Sequence, residues 1–307
     1  MKDKIIIIAG PTASGKTELS LKISKAFNGE IISADSMQIY KQLEIGTAKI
    51  TKDEMQGIPH HMVSCMDICD DFSVSLYQKQ ALACCRDIIS RGKTPIFAGG
   101  TGLYINSILY DLDFTDAKPD TSYRQELEKY DAKALHHMLK EADEASAQRI
   151  HPNDKKRIIR RLEIIKNGES EEYDFRKKSA RFNAAFVGIT MDRSVLYDRI
   201  NRRVDIMMEK GLEKEAKTLY DNYGSALISM QAIGYKELIE YFNGKISLFE
   251  AVEKIKQNSR RYAKRQLTWL RREEDICWFD KTKYSYDDEK MFLDIKNFIN
   301  KKWSENE

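Results

Sequence analysis

The sequence has 307 residues, of which 42% are hydrophobic and 32% are charged. This composition excludes a disordered or fibrous protein and favours a helix-rich chain with one large domain or two modest ones. The net charge of +3 is too small to indicate a polyanionic partner, so the distribution of charge matters more than its sum. No apolar run approaches the ~20 residues that span a bilayer, and the N-terminus lacks the apolar core of a signal peptide. We therefore expect a cytoplasmic protein without membrane association, and five cysteines at spacings that suit no disulfide framework fit a reducing compartment.

The first predicted elements are a strand, a loop and a helix. Ile5 to Ile8 is a β-branched run typical of a buried strand, and hydrophobic residues recur at helical spacing from Thr17 to Phe27. The loop has the phosphate-loop pattern, in which backbone amides and a helix N-terminus surround phosphate oxygens. It consists of Gly10, Pro11, Thr12, Ala13, Ser14, Gly15, Lys16 and Thr17. We therefore predict binding of a di- or triphosphate, such as a nucleotide, with charge from Lys16 and with Mg²⁺ held by the Thr17 hydroxyl.

Two further strands are predicted in the N-terminal part of the chain. The first is Glu30 to Ser33, which Asp35 follows, and the second is Thr94 to Ala98, which runs into a glycine turn containing Thr101. The alternation of strands and helices predicts an α/β fold with a parallel sheet like that of phosphate-loop NTPases. Because ligands gather at the carboxyl ends of the strands in such sheets, the phosphate loop, Asp35 and Thr101 should lie along one edge.

Asp35 and Thr101 each allow two interpretations. A carboxylate in the position of Asp35 is well placed to act as a general base, but it also suits a helix cap or a magnesium site. The Thr101 hydroxyl lies where glycines let the backbone approach a ligand closely, or it belongs only to a tight turn. The residues alone leave both choices open.

The character of the sequence changes to charged and helical at about Lys118. We predict a discontinuous α/β core of residues 1–117 and 184–307, with flanking helices, and a helical insertion domain of residues 118–183. Within the insertion, His151 to Asp154 is typical of a helix start and leads into a basic run. The sequence after Asp280 is predicted to be a polar, helical tail without evident chemistry.

The core is predicted to resume with a strand at Ala185 to Thr190 and a helix at Ser194 to Met208. Arg199 and Arg203 are four residues apart on this helix and therefore share a face. They are suited to clamp a pyrophosphate from the side opposite the phosphate loop. Alternatively, they form a solvated face paired with nearby acids such as Asp198 and Asp205.

A basic segment without acidic residues extends from residue 258 to residue 272. On a helix, its apolar stripe consists of Ala263, Leu267 and Leu270. The six basic residues fall largely on the opposite side, beside Tyr262 and Trp269. Basic residues next to aromatic ones suit RNA, where phosphates attract the charge and unpaired bases stack. A membrane-surface helix is the alternative, but the apolar face is small for that role.

Taken together, these motifs resemble the tRNA dimethylallyltransferases (tRNA isopentenyltransferases) of bacterial type over nearly the whole chain. The residues that carry the resemblance are Gly10–Thr17, Asp35–Tyr40, Ile45–Lys49, Pro59–His61, Gly99–Tyr104, His151–Asp154, Gln231–Lys236 and Lys264–Arg271. The resemblance implies transfer of a dimethylallyl group from its pyrophosphate ester to the N6 amine of the adenine immediately 3′ of the anticodon. It also implies Mg²⁺ as cofactor and the anticodon stem-loop of tRNA as partner, and we expect a monomer.

The resemblance further implies roles for individual residues. The phosphate loop would hold dimethylallyl pyrophosphate, with Lys16, Arg203 and Arg199 assisting the leaving group. Asp35 would be the general base and Thr101 would position the amine. The implied tRNA contacts are Asp35, Ser36, Met37, Gln38, Thr101, Arg124, Lys156, Arg157, Ile158, Ile159, Arg160, Lys264, Arg265, Gln266, Leu267, Thr268, Trp269, Leu270 and Arg271.

Three other functions share parts of this pattern. An adenylate isopentenyltransferase would use the same core on free nucleotide, but the insertion and the basic segment argue against it. A small-molecule kinase would bind ATP in the phosphate loop and use Asp35 to activate a hydroxyl. A non-catalytic RNA-binding NTPase module would leave Asp35 and Thr101 without a role.

Overall fold

The computed structural model describes residues 2–112, 120–168 and 177–305. In this part of the chain, six parallel strands form one sheet in the order β3-β2-β4-β1-β5-β6. The strands are β1 (Asp3–Ala9), β2 (Gly29–Ala34), β3 (His60–His61), β4 (Thr94–Gly99), β5 (Phe182–Thr190) and β6 (Cys277–Asp280). The predicted α/β fold with a parallel sheet is therefore confirmed.

Twelve α-helices occur among the described residues. They are α1 (Lys16–Ala26), α2 (Val74–Ser90), α3 (Gly102–Leu109), α4 (Thr121–Leu127), α5 (Ala132–Ala142), α6 (Glu144–Arg149), α7 (Lys155–Lys166), α8 (Arg193–Glu209), α9 (Leu212–Tyr223), α10 (Tyr235–Phe242), α11 (Leu248–Leu270) and α12 (Asp288–Ser304). None of these helices combines the length and apolarity that crossing a membrane requires.

The chain divides into two compact units, one of residues Met1–Asp111 with Lys177–Glu307 and one of residues Leu112–Arg176. The predicted boundary between residues 117 and 118 lies outside the described residues. The predicted boundary between residues 183 and 184 falls inside β5, where Phe182 pairs with Asp3. Backbone pairing carries the strand beyond its apolar run, so the apolar pattern alone placed its start too late.

The apolar run of β1 is buried on both faces of the sheet. Ile5 and Ile7 belong to one hydrophobic cluster, whereas Ile6 and Ile8 belong to another on the opposite face. Side chains alternate along a strand, so a central parallel strand covered by helices on both sides needs a continuous apolar sequence. This arrangement fixes the carboxyl end of β1, from which the phosphate loop extends.

The C-terminal segment differs from the predicted polar tail. Helix α12 buries Met291, Ile295, Ile299 and Trp303, which recur every four residues, in the cluster that also contains Ile6 and Ile8. One face of the helix therefore belongs to the core of the first unit. Its charged residues obscure this apolar stripe when composition alone is considered.

The unit of residues 112–176 has its own hydrophobic core. Leu135 and Leu139 of α5 pack in one cluster with Leu127, Ile158, Ile159 and Leu162. Glu163, which is fully buried, accepts hydrogen bonds from Arg124 at 2.8 and 3.0 Å and from Arg160 at 2.7 Å. A buried carboxylate needs such partners because desolvation of an unpaired charge is costly.

Candidate active site

A pocket lies at the carboxyl ends of the central strands, where the sequence predicted a ligand site. It is lined by Thr12, Lys16, Thr17, Ser20, Ile31, Ser33, Asp35, Gln38, Thr47, Ile50, His60, Val63, Ala98, Gly99, Gly100, Arg203, Tyr262 and Gln266. Cationic and carboxylate side chains thus share one cavity with the small residues at the carboxyl end of β4. The pocket combines a phosphate-binding loop with a candidate proton acceptor.

The phosphate loop has the strand before it and the helix after it that its motif requires. Gly15 is the N-cap of α1 in a left-handed conformation with φ 93°, and no side chain caps the helix. The first amides of α1 therefore remain available to an anion. The Lys16 ammonium group curls back over the loop and donates to the Pro11 carbonyl oxygen at 2.7 Å.

The electrostatics of the loop favour an anionic ligand. Burial, together with the charge of Arg203, lowers the pKa of Lys16 to about 7, although Asp35 acts in the opposite direction. Burial also lowers the pKa of Arg203. Burial disfavours the charged form of these cations, and a phosphate group bound beside them would favour it.

Both predicted arginines of α8 contact the phosphate loop. Arg199 Nε donates to the Ala13 carbonyl oxygen at 2.9 Å, and Arg203 Nη1 lies 3.4 Å from Thr12 Oγ1. Asp205 instead pairs with Lys256 at 2.8 Å. Arg199 is exposed, but no ion pair of either arginine with an acid occurs among the described residues, so the contacts favour the clamp over the acid-paired face.

Asp35 uses one carboxylate oxygen to hold the turn that follows β2. Its Oδ1 accepts hydrogen bonds from the Met37 amide at 2.9 Å and the Gln38 amide at 3.3 Å. Among the described residues, no hydrogen bond to Oδ2 is recorded, and the residue lines the pocket. Oδ1 therefore holds the turn, and Oδ2 is the candidate proton acceptor.

Thr101 lies beside Asp35, and its hydroxyl oxygen accepts a hydrogen bond from the Ser36 amide at 3.2 Å. This bond ties the turn after β4 to the turn after β2. Gln38 donates from Nε2 to the Thr47 carbonyl oxygen at 3.2 Å, which fixes the next part of the pocket wall. The structure therefore brings Asp35, Thr101 and Gln38 together at one edge of the sheet.

Two blocks of the resemblance prove to be neighbours in space. The Glu215 carboxylate accepts from the amides of Ile45 and Gly46 and from the Tyr235 hydroxyl. A methyl group on Gly46 would lie 2.6 Å from the Tyr235 ring, so only glycine fits there. These contacts hold the segment that contains Thr47 against the rest of the first unit.

The basic segment forms the C-terminal half of α11. Lys264, Arg265, Thr268 and Arg271 are exposed, as a surface for RNA requires. No ion pair involves Lys264, Arg265 or Arg271 in the part of the chain that the structure describes. Their charges are therefore available to a polyanion.

Other predicted RNA contacts of α11 face inwards. Leu270 is fully buried in the main core, and Gln266 is 6% exposed. Gln266 accepts from the Thr12 amide at 2.8 Å and donates to the Gly100 carbonyl oxygen at 3.1 Å. Leu267 is partly buried beside Ala263. Leu270 points into the protein, so an RNA contact of its side chain is wrong. Gln266 lines the pocket, and its contact with RNA stays a prediction.

Trp269 is half-buried and packs against the glycine turn. A methyl group on Gly102 would lie 2.1 Å from its Cδ1 atom. Tyr262 lines the pocket, and burial next to Asp35 raises the pKa of its hydroxyl to about 12. The two aromatic residues thus contact the site from one helix.

In the second unit, the predicted RNA contacts also include both exposed and buried residues. Lys156 and Arg157 are exposed, and Arg157 pairs with Asp154 at 2.9 Å. Ile158 and Ile159 are core residues with 0% and 7% exposure, so the prediction of RNA contact is wrong for both side chains. Arg124 and Arg160, which are partly exposed, both pair with the single carboxylate of Glu163.

Lys281 is a residue of the site's surroundings that the sequence did not indicate. It follows β6 directly, is 5% exposed, and its ammonium group pairs with Asp288 at 2.6 Å. A methyl group on Gly15 would lie 2.9 Å from this ammonium group. No motif surrounds Lys281, whereas the four-residue spacing of Tyr262 and Gln266 was a signal that they share a helix face.

The donors in the pocket fit the expected Mg²⁺. Magnesium prefers hard oxygen ligands and commonly uses one or two protein groups together with phosphate oxygens and water. The Thr17 hydroxyl, at the exposed start of α1, and the Asp35 carboxylate lie on the same pocket. Of these two donors, Thr17 would be the ligand, as its place in the phosphate-loop motif indicates.

Comparison with known proteins places this pocket in a family context. A family model described as IPP transferase matches residues 38–273, and one described as isopentenyl transferase matches residues 3–67. A tRNA dimethylallyltransferase of Bacillus cytotoxicus is 52% identical over 288 residues, which cover 92% of this chain and 91% of the relative. A tRNA dimethylallyltransferase of Halalkalibacterium halodurans is 47% identical over 307 residues, which cover 97% of each chain.

Solved structures give the same picture. The structure of a tRNA isopentenylpyrophosphate transferase from Bacillus halodurans superposes with a TM-score of 0.77 and 46% identity, over 99% of this chain and 98% of that chain. A eukaryotic dimethylallyltransferase described as acting on tRNA superposes with a TM-score of 0.80 and 33% identity. That match covers 91% of this chain and 74% of the eukaryotic one.

Proposed function

The chain belongs to the IPP transferase family and is a tRNA dimethylallyltransferase, and from this premise we propose how its pocket performs the reaction. The proposed reaction transfers the dimethylallyl group of dimethylallyl pyrophosphate to the N6 amine of the adenine immediately 3′ of the anticodon. One observation carries the proposal: a phosphate loop and the Asp35 carboxylate line the same pocket, and one oxygen of this carboxylate accepts no hydrogen bond from the residues that the structure describes. We also propose that the protein acts in the cytoplasm as a monomer.

The phosphate loop would hold the leaving group. The free amides of α1 and the charges of Lys16, Arg199 and Arg203 surround the place where pyrophosphate binds. As the bond between the allylic carbon and oxygen breaks, negative charge develops on the pyrophosphate, and these groups stabilise that charge. Mg²⁺ bound near Thr17 would supply further charge neutralisation of the pyrophosphate. The loop that other families use for nucleotides would thus serve a leaving group.

Asp35 would act at the nucleophile. The adenine amine is a weak nucleophile because its lone pair is delocalised into the ring, so loss of a proton assists attack. As N6 bonds to the allylic carbon, Asp35 Oδ2 takes one proton from N6 while Oδ1 stays bonded to the Met37 and Gln38 amides. Thr101, beside Asp35, would position the amine. The products are N6-(dimethylallyl)adenosine and pyrophosphate, and the proton remains on Asp35 until it exchanges with solvent.

The exposed cations would bind the tRNA. An adenine in a structured loop must leave its stack to enter a pocket, and this cost is offset by contacts to the surrounding RNA. Lys264, Arg265 and Arg271 of α11 and Lys156 and Arg157 of the second unit are exposed on their helices. We propose that both groups contact the phosphates of the anticodon stem-loop.

The experiment that tests the function combines purified protein, unmodified tRNA, Mg²⁺ and dimethylallyl pyrophosphate, followed by mass spectrometry of the nucleosides. Prenylated adenosine at the position 3′ of the anticodon, with none formed from AMP, is the expected result. Product from AMP alone would instead indicate an adenylate isopentenyltransferase. Consumption of ATP without prenyl transfer would indicate a kinase.

Removing the charge of Lys264 should weaken tRNA binding without affecting the pocket. For Lys264→Ala we expect an affinity for tRNA that is lower by about fivefold, and a salt dependence whose logarithmic slope is smaller by about 0.7 to 0.9, as for one lost phosphate contact. The measurement is filter binding of tRNA over a range of salt concentrations. The matched control is Lys254→Ala, which removes a charge from the same helix where Glu240 already balances it at 2.8 Å. Equal effects of the two substitutions would contradict a specific contact at Lys264.

A further inference from the structure

Gln266 connects two loops that are distant from it in the sequence. Its Oε1 accepts a hydrogen bond from the Thr12 amide at 2.8 Å, and its Nε2 donates to the Gly100 carbonyl oxygen at 3.1 Å. The side chain is 6% exposed. One buried amide group therefore links the phosphate loop to the turn that carries Thr101.

The position of this amide is set by the end of the sheet. Strands β1 and β4 pair in parallel, and the last pair in register is Ala9 with Gly99. Beyond that pair, no backbone hydrogen bond joins the segment after β1 to the segment after β4 among the described residues. The Gln266 side chain fills the gap, accepting from one chain and donating to the other, as a further rung of the ladder would.

Few side chains can make both hydrogen bonds of Gln266 at this position. A single side-chain end must offer both an acceptor and a donor, which an amide does and an ionised carboxylate or an ammonium group does not. The space is also closed, since a methyl group on Gly100 would lie 2.0 Å from Nε2. Tyr262 lies one turn before Gln266 on α11 and lines the same pocket.

We propose that Gln266 is a positioning residue that sets the distance between the pyrophosphate site and the Asp35–Thr101 side of the pocket. The inference rests on the proposed function, in which the leaving group occupies the phosphate loop and the adenine amine lies near Thr101. Displacement of reacting groups by about 1 Å lowers rates by about 10²-fold. Gln266 thus acts through the two loops and not through the RNA phosphates, although exposed cations flank it in the sequence.

The test replaces Gln266 by methionine, which has similar length and volume but neither hydrogen bond. We expect kcat for prenyl transfer to fall by about 30-fold or more, while the Kd for tRNA stays within about twofold of wild type. A role in RNA binding would give the reverse pattern, with weaker tRNA binding and unchanged kcat at saturating tRNA, and would overturn the proposal. Wild-type kcat together with wild-type tRNA affinity would also overturn it.

A second variant tests the Gln266 bridge, which consists of its hydrogen bonds to Thr12 and Gly100, from the Gly100 side. In Gly100→Ala the new methyl group displaces the Gln266 amide. The double variant that combines Gly100→Ala with Gln266→Met should therefore lose less kcat than the product of the two single losses. Multiplying losses would show that the two positions act independently and would contradict the bridge. Ile255→Val, a mild change in the buried face of α11 away from the pocket, controls for general loosening and should leave kcat unchanged. Prenyl transfer by the wild-type protein is measured in parallel, because its absence would refute the proposed function and not the bridge alone.

Discussion

Replacement of Asp35 by asparagine should lower kcat for prenyl transfer by about 10³-fold, which lies within the range for loss of a positioned general base. Asparagine removes the proton acceptor but keeps the shape of the side chain. Its amide oxygen can still accept from the amides of Met37 and Gln38, which lie 2.9 and 3.3 Å from Oδ1. The measurement is the single-turnover rate with saturating tRNA and dimethylallyl pyrophosphate.

Two comparisons separate the base from the other roles open to this carboxylate. Asp35→Ala also loses the turn contacts and should be less stable by ~1 kcal/mol, as for a lost cap, whereas Asp35→Asn should keep the wild-type Tm. If Asp35 served chiefly as a magnesium ligand, the asparagine variant would bind dimethylallyl pyrophosphate in the presence of Mg²⁺ much more weakly. Full turnover by the asparagine variant would exclude Asp35 as the base.

The parts of the site that the sequence predicted are those encoded locally. The strand, loop and helix that hold the phosphate are consecutive in the chain, and their apolar period and glycines specify each element. The observed β1 and α1 begin or end within two residues of the predicted limits. The spacing of Arg199 and Arg203 on one helix predicted that they share a face. Contact of this face with the phosphate loop was one of two possibilities that the sequence left open.

Residues whose surroundings depend on long-range pairing were not predicted. Lys281 reaches the neighbourhood of Gly15 only because β6 pairs with β5, which in turn pairs with β1. Strand β3 has two residues and no pattern of its own, since its place is fixed by its pairing with β2. Such short elements carry too few residues for a periodic signal.

The other source of error was the prediction that all residues of a continuous run contact RNA. Ile158 and Ile159 stand among basic residues in the sequence, and Leu270 stands beside Arg271, yet the isoleucines and Leu270 are buried. Successive residues of a helix point in different directions, so a continuous run never forms one contact surface. An RNA footprint assigned to a helix should therefore contain only its outward positions.

Replacement of Lys16 by methionine should lower the rate of prenyl transfer by about 10²- to 10³-fold, as for loss of one group that stabilises developing charge. The ammonium group lies over the phosphate loop, where it donates to the Pro11 carbonyl oxygen, and no other lysine side chain lines the pocket among the described residues. Affinity for dimethylallyl pyrophosphate should fall as well, while affinity for tRNA should change little. A variant with a wild-type rate would show that the loop amides and the arginines suffice for the leaving group.

The same substitution should raise the stability of the folded protein below pH 7, although it lowers the rate of prenyl transfer. Burial and Arg203 lower the pKa of Lys16 to about 7 from an ordinary value of 10.5, so the folded protein resists a charge that the unfolded chain carries freely. This cost is fully present below pH 7 and is relieved as the pH rises from 7 to 10.5, because the folded protein then releases the proton. In magnesium-free buffer at pH 6, Lys16→Met should therefore have a higher Tm than wild type, and its advantage should shrink towards pH 10. A lower Tm at pH 6 would mean that the bond from Lys16 to Pro11 outweighs the cost of burying the charge, and that the loop is held together by its lysine before any pyrophosphate binds.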